Sequence, residues 1–367
     1  MDPAHFFPKL WQRRSPAATL LLPVSLLFAL LGGLRRLAYR RDWLKRERLP
    51  VPVVVIGNII VGGSGKTPLT LWLADELRRA GRRPGIISRG YAAEGAARAA
   101  GEAREVHADS HAGEVGDEPL LLKRRSGLPV FVGRDRVAAG RALLAAYPDC
   151  DLLLSDDGLQ HYRLMRDVEI ALVDGRGLMN GWLLPAGPLR EPGRRLAQVA
   201  ALVLNGASAR VPAGATQVPA FAMQLSGATF ERLDAPETRC TAADLQGLKL
   251  AAIAGIAVPE RFFDHLAGLG LQFSRHVFPD HHRYTAAELT AIQSATRADA
   301  LLMTEKDAVK CGAYSHCPSP CPIWVLPVTA QVVRIGPTGP PAAGGNGNLA
   351  AHVEHCLLEK SRGSPTA

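Results

Sequence analysis

Aromatic residues make up only 6% of this 367-residue chain. So few ring faces count against a protein that binds single-stranded nucleic acid by stacking its bases. Cysteine is also sparse. Its six positions (150, 240, 311, 317, 321 and 356) follow no regular spacing, and no C-x-x-C pair occurs. A disulfide framework is not implied, and a reducing compartment fits. Cys311, His316, Cys317 and Cys321 gather in a Pro-rich stretch, where a zinc site competes with an ordinary loop. Charged residues are 21% and hydrophobic ones 47% of the chain. That balance excludes a disordered chain, a collagen and a coiled coil. A single long apolar run is present, too little for a polytopic membrane protein. An N-K-x-D guanine motif is missing: Thr304-Glu305-Lys306-Asp307 has similar residues in another order.

The net charge of +9 is unevenly placed. Ten Lys/Arg fall within residues 1–50 against three acids, and they flank the apolar run. Charge in that place points to a membrane surface rather than to nucleic acid. Residues 17–34 (AATLLLPVSLLFALLGGL) are eighteen residues without a charge, a marginal length for a span. A secretory signal is disfavoured, because the flank after the run is the more basic one. A buried helix of a soluble domain is a further reading. The preferred one is a membrane anchor, spanning or lying in the interface, with everything after residue 35 on the cytoplasmic side.

Beyond residue 50, short apolar runs alternate with amphipathic stretches. Val53–Ile56, Gly85–Ser88, Val130–Val132, Leu152–Ser155, Ile170–Val173, Ala201–Leu204, Leu250–Ala254, Leu301–Thr304 and Trp324–Val328 read as buried strands. Pro68–Ala80 reads as a helix with Leu69, Trp72, Leu73 and Leu77 on one face and Gly81 past its end. The alternation predicts an α/β fold with a largely parallel sheet and flanking helices. The expected division is an anchor and basic stretch over 1–49, a P-loop core over 50–205, a smaller α/β lobe over 206–334, and a flexible linker and tail over 335–367. Residues 206–248 read as polar and irregular, 335–348 as linker, and 349–360 as a short helix.

The most informative segment is VVVIGNIIVGGSGKT, 53–67. A strand runs into Gly62-Gly63-Ser64-Gly65-Lys66-Thr67, and a helix follows. Such glycines let backbone N–H groups turn inward around phosphate oxygens, with Lys66 reaching the β and γ phosphates and Thr67 a Mg²⁺ ion. Ile60 stands where the general G-x-x-x-x-G-K-[ST] pattern has its first glycine. The loop also resembles the double-glycine loop of membrane-positioning ATPases, but Val61 stands where their signature lysine falls.

Asp156 and Asp157 end an apolar strand, which suits a Walker-B acid holding Mg²⁺. Asp117-Glu118 precedes Pro119 at a helix start. Asp280-His281-His282 is a proton-handling or metal candidate. Arg134, Arg136 and Arg190 lie on loops suited to bidentate phosphate recognition.

Taken together, IGNIIVGGSGKTP (56–68), ISRGY (87–91), GDEP (116–119), GRDR (133–136), DDGLQH (156–161), PAGPLREP (185–192), FPDHH (278–282) and TEKDAVK (304–310) resemble the tetraacyldisaccharide 4′-kinases, the lipid A 4′-kinases of Gram-negative bacteria. The resemblance implies transfer of the γ-phosphoryl group of ATP to the 4′-hydroxyl of a tetraacylated glucosamine disaccharide 1-phosphate. It implies a place at the cytoplasmic face of the bacterial inner membrane, a glycolipid and a membrane surface as partners, and no nucleic acid or obligate protein partner. By the family pattern Asp117 is the general base and His281 its dyad partner. Ile60, Val61, Gly62, Gly63, Ser64, Gly65, Lys66 and Thr67 bind ATP. Thr67, Asp156 and Glu191 serve the metal, and Arg134 and Arg190 the lipid phosphate or the transferring group. The resemblance leaves the roles of Asp157, Gln160, Arg136 and His282 open. The alternative function is a membrane-associated P-loop ATPase switch.

Overall fold

The computed structural model describes residues 10–90, 103–311, 321–335 and 348–362. Its larger sheet starts from strands that are buried along their whole length. In β1 (Val53–Gly57), Val53 and Val55 join the apolar cluster on one face, and Val54 and Ile56 the cluster on the other. A strand apolar on both faces needs cover on both sides, and helices supply it. The helix α2 (Lys66–Arg79) sets Leu69, Leu73 and Leu77 on one face at intervals of four and buries all three. Gly81 follows with φ +90°, as the sequence expects of a helix end.

The other strands of this sheet are β2 (Pro84–Ser88), β3 (Arg104–Glu105), β4 (Val130–Val132), β5 (Leu152–Asp156), β6 (Val168–Asp174), β7 (Ala201–Asn205), β8 (Ala220–Ser226) and β15 (Thr329–Ile335). Their order is β15-β8-β7-β6-β1-β5-β2-β4-β3. Pairing is parallel from β8 to β4 and antiparallel at both edges. Between β2 and β5 run α3 (Asp117–Ser126) and α4 (Arg136–Ala146).

The second sheet contains β9 (Thr229–Arg232), β10 (Arg239–Thr241), β11 (Leu250–Ala254), β12 (Phe273–Val277), β13 (Ala300–Thr304) and β14 (Ile323–Leu326), ordered β10-β9-β14-β13-β11-β12. The helix α5 (Glu260–Gly268) packs Phe262, Phe263 and Leu266 on one face, and α6 (Ala286–Thr296) packs Leu289 and Ile292 on the other. A one-turn helix, α7 (Glu305–Ala308), follows β13 directly.

All nine expected strands form. The expected boundaries do not match the sheets. β8 and β15, placed by the sequence in a lobe over 206–334, pair with each other and complete the larger sheet. Residues 206–248 are not irregular throughout, since they hold β8, β9 and β10. The polar turns around these strands hid them: β8 pairs with β7 before it, and β9 and β10 pair with each other, while their outer partners β15 and β14 lie far along the chain. The chain crosses between sheets after β8 and again before β15. A Cβ on Gly227 would sit 2.2 Å from the Pro327 carbonyl oxygen, so the two crossings touch.

The carboxyl-terminal stretch is only partly as expected. Residues 336–347 and 363–367 lie outside the described residues. Between them, α8 (Leu349–Arg362) is no loose tail: it buries Leu349, Ala350, Val353 and Leu357 against the larger sheet. Arg82 grips Glu354 with two hydrogen bonds of 2.9 and 2.7 Å.

The amino-terminal helix α1 (Leu22–Arg40) overturns the buried-helix reading. Of its residues only Ser25 is buried. The side turned to the protein carries Ser25, Ala29, Gly32, Gly33 and Arg36, while Leu26, Leu27, Leu30, Leu31 and Leu34 face out. A soluble amphipathic helix does the reverse.

Candidate active site

The P-loop, the Asp156-Asp157 pair, Arg134, Asp174 and Asn205 all follow or end strands at one edge of the larger sheet. That edge is where parallel α/β folds place their ligands. β1 lies between β5 and β6, and Ile56 stands level with Asp156 in the ladder. The phosphate loop and the acid pair are therefore neighbours.

The loop is held from several sides. Ile60 is buried and bridges Leu189, and the Val61 N–H donates to the Pro188 carbonyl at 3.0 Å. A wedge into 185–192 thus replaces the first glycine of the general pattern. Asn58 Nδ2 donates to Ser64 Oγ at 3.0 Å, and Asn205 Nδ2 to the Ser64 carbonyl at 2.7 Å. Arg176 Nη2 donates to the Gly63 carbonyl at 2.9 Å, and its guanidinium also pairs with buried Asp174. Gly65 has φ +93°, and a Cβ there would lie 2.4 Å from Asn205 Nδ2. Only glycine satisfies both conditions. Lys66 and Thr67 open α2 and are buried at its amino terminus, where the helix dipole favours phosphate.

Asp156 is fully buried. Its Oδ1 accepts a hydrogen bond from Thr70 at 3.0 Å, while its Oδ2 has no hydrogen-bond partner. Burial, then the nearby Glu118 charge, pushes its pKa upward. A buried carboxylate oxygen left unpaired beside Thr67 and the phosphate loop fits a Mg²⁺ ion or a water bound to one. Asp157 is different. Burial works against its charge, but Lys66 and Arg190 outweigh burial and hold its pKa low. Arg190 Nη1 reaches both its oxygens at 3.2 Å, and Lys66 Nζ lies 3.7 Å away. Arg136 donates to the carbonyls of Gly133 and Asp157, and burial pushes its pKa down to about 10. Arg134 is exposed, as suits a residue that meets a ligand from outside.

Glu191, expected in the metal set, is held by protein groups on both oxygens. It is buried, with Oε1 accepting from Gln160 at 2.9 Å and Oε2 from the Tyr162 hydroxyl. Arg36 of α1 lies 3.6 Å away and Arg195 3.7 Å. Both oxygens are engaged, so Glu191 is a brace between α1, Gln160 and the 185–192 segment.

Asp117 and His281, 164 residues apart, meet between the two sheets. His281 Nδ1 lies 3.2 and 3.0 Å from the two Asp117 oxygens. Asp117 opens α3, where the helix dipole favours a carboxylate. Burial alone would raise its pKa, but the hydrogen bond to His281 and the charges of Lys306 and Lys310 bring it below the usual range. The same hydrogen bond raises His281. Asp157 and His281 both adopt left-handed backbone, φ +50° and +64°. Such conformations cost energy in non-glycine residues and gather at functional sites. His282 turns to its own lobe. It bonds Glu288 at 3.1 Å and stacks on Phe278.

A cleft of about 430 Å³ separates the sheets. Gly63–Thr67 line one wall and Ile256, Val258 and Phe262 the other. Sequence reasoning singled out neither Asn58, Thr70, Asp174, Arg176 nor Asn205. It gave no role to Lys306 or Lys310, although both lie in a motif it quoted. The cysteine cluster yields no metal site among the described residues. Cys311 packs 3.7 Å from Met303 Sδ, and His316 and Cys317 lie outside the described residues.

The family described as tetraacyldisaccharide-1-P 4′-kinase matches residues 17–337. A tetraacyldisaccharide 4′-kinase of Azoarcus sp. (strain BH72) is 51% identical over 89% of this chain and 91% of its own. Another, from Aromatoleum aromaticum, is 47% identical over 98% of both chains. The crystal structure of LpxK from Aquifex aeolicus in complex with ATP superposes with TM-score 0.70 at 29% identity, covering 86% of this chain and 95% of that one. Sharing sequence across nearly its whole length, and fold as well, this chain belongs to the tetraacyldisaccharide-1-P 4′-kinase family.

Proposed function

We propose that the chain is a lipid kinase that moves the γ-phosphoryl group of ATP to the 4′-hydroxyl of a tetraacyldisaccharide 1-phosphate, yielding the 4′-phosphorylated lipid A precursor and ADP. The observation that carries this reading is a shared segment. α1, with its large apolar side chains outward, docks on 178–198, and that segment also carries Arg190 and Glu191. Ser25 Oγ donates to the Leu183 carbonyl at 3.0 Å and accepts from the Ala186 N–H at 2.9 Å. A membrane-facing helix and a phosphate site are thereby fixed side by side, as a kinase for a glycolipid requires. The helix rests against the protein along one side, which favours a place in the interface of the cytoplasmic leaflet.

ATP lies in the cleft with its phosphates on Gly62–Thr67 and its base against the apolar wall near Ile256 and Phe262. Lys66 neutralises phosphate charge. Thr67 and Asp156 hold Mg²⁺, which when bound offsets charge on the β and γ phosphates. Asp117 accepts the proton of the 4′-hydroxyl as the new P–O bond forms and the bond to the β-phosphate oxygen breaks. His281 orients Asp117 and shares the proton. Exposed Arg134 receives the lipid 1-phosphate. Arg190, fixed on Asp157, presents its remaining N–H groups to the transferring group.

The ATPase-switch reading is not favoured. Val61 lacks the amine that its signature requires, and membership of a kinase family argues for a glycolipid acceptor. The test is transfer of label from γ-labelled ATP to tetraacyldisaccharide 1-phosphate in mixed micelles. Labelled glycolipid is expected. Hydrolysis to inorganic phosphate that ignores the glycolipid would overturn the kinase reading.

A further inference from the structure

Asp117 and His281 belong to different lobes, so their contact depends on the register between those lobes. One side chain spans the junction beside them. Lys306, on α7 of the second lobe, is largely buried. Its Nζ lies 2.9 Å from Glu118 Oε1, 3.4 Å from Asp280 Oδ1 and 3.9 Å from Asp117 Oδ2. Glu118 is the residue after Asp117, and Asp280 is the residue before His281. A single ammonium therefore touches the neighbour of each dyad member, one in each lobe.

Its own base is fixed. Thr304 caps α7 by accepting from the Asp307 N–H. Adjacent Glu305 binds Arg125 of α3 and accepts from the Val328 N–H at 2.9 Å, on the chain crossing between the lobes. Lys310 is not equivalent. It stands 4.0 Å from Asp117 but is committed within its own lobe, to Asp307 at 2.8 Å and the Gly255 carbonyl at 2.7 Å. The charged groups facing Asp117 are thus His281, Lys306 and Lys310, with Glu118, Asp280 and Asp307 behind them. Without Lys306, Glu118 loses its cation at the junction, and Asp117 and Asp280 are left to share His281, at 3.0 and 3.7 Å.

We propose that Lys306 is the positioning residue that assembles the Asp117–His281 dyad across the lobes and keeps Asp117 a proton acceptor. This rests on the reading of Asp117 as the base. The ammonium attracts Glu118 and Asp280 to one point, which sets the distance between their neighbours. It also favours the ionised carboxylate, as an opposite charge within 4–6 Å does. Lys306 also lines the cleft, but its Nζ is engaged by Glu118 and Asp280, so its loss is expected to act on kcat through the dyad rather than on KM for ATP.

The experiment measures kcat and KM for ATP against pH in the full-length chain, for Lys306→Met, Lys306→Arg and Asp117→Asn beside the wild type. Lys306→Met is expected to lower kcat at least ~10-fold and to move the acid limb of the kcat profile up by about one pH unit or more. KM for ATP should stay nearly constant. Lys306→Arg keeps the charge, so its acid limb should stay in place while kcat falls less. A residue of purely structural importance would lower kcat without moving the limb, and an unmoved limb in Lys306→Met overturns the proposal. If Lys306→Met fails to fold, Asp280→Asn replaces it. Removing that carboxylate leaves Lys306 less shared, and the limb should move to lower pH; no movement again overturns the proposal. Asp117→Asn separates the two readings. If it keeps its kcat, the base assignment falls. If it is inactive while the Lys306 limb is unmoved, only the role of Lys306 falls.

Discussion

A sugar hydroxyl is a poor nucleophile near neutral pH, and the residue that takes its proton should dominate the rate. Asp117→Asn keeps the shape and removes the acceptor charge, so kcat should fall roughly 10²–10⁴-fold, the usual worth of a positioned base. His281→Ala should be comparably harmful. The double variant should be less than multiplicatively worse, because groups that act as one unit are not additive. Steady-state assays of the three variants decide this, and multiplicative losses would break the dyad while leaving Asp117. The pair also has a pH signature in stability. Asp117 is held low, so its part is present above the unfolded carboxylate pKa and is lost as pH falls through the lower folded value. His281 is raised, so its part is complete below the unfolded imidazole pKa and is lost as pH rises through the higher folded value. The stability difference between wild type and His281→Ala should therefore be largest between about pH 4 and pH 6.5 and shrink on both sides. Thermal unfolding across pH measures it. His281 is half-exposed, so the difference should be small.

Among the elements, α1 and α8 behave in opposite ways. Leu26 is 69% and Leu30 59% exposed, so the pair adds almost nothing to the folded core. Replacing both by Ser should weaken binding to anionic vesicles and leave the unfolding temperature unchanged. Vesicle sedimentation beside a thermal scan tests this, and a matching loss of stability would return the helix to the core. The basic stretch over 35–48 should retain salt-sensitive binding, since each Lys or Arg near an anionic surface is worth about 1 kcal/mol. α8 is the reverse case. Deleting residues 348–367 takes Leu349, Val353 and Leu357 out of the core, each worth about 1.5–3 kcal/mol when buried. The truncated chain should unfold at markedly lower temperature, whereas a dispensable tail would leave the transition in place. The sequence marked α1 by its unbroken apolar run. It gave α8 only a weak helical pattern behind a linker, because what covers α8 is α2, β6 and β15, brought to it by the fold rather than by the residues around it.

At the scale of the molecule, the two sheets share one cleft, and a ligand that touches both walls should bind them as one unit. ATP should raise the unfolding temperature, with stabilisation of about 2.7 kcal/mol at a concentration one hundred times its Kd. Lys66→Ala should lose most of that gain while its unliganded transition stays near that of the wild type. A scan with and without ATP shows the outcome, and an undiminished gain would remove Lys66 from the phosphate site.

The nine buried strands, the phosphate loop with its helix, and the apolar run were all legible in the sequence, because each depends on neighbours within about ten residues. Periodicity, glycine at strained turns and a run without charge are local signals. Asp117 and His281 were legible only through motif resemblance, since no spacing joins residues 164 positions apart. What the chain could not state locally was left to tertiary structure. Polar turns concealed β8 and β15, whose pairing with each other joins segments far apart in sequence. Glu191 drew a metal role from the resemblance, and the structure adds its contacts with Gln160, Tyr162 and two arginines. Lys306 had no role in the sequence, and its three acidic partners come together only where the two lobes meet. The sequence determined which segments bury themselves and which loop can hold phosphate. Only the tertiary structure decided which charges meet, because a Coulombic partner is chosen by distance in space, and that distance is set by packing.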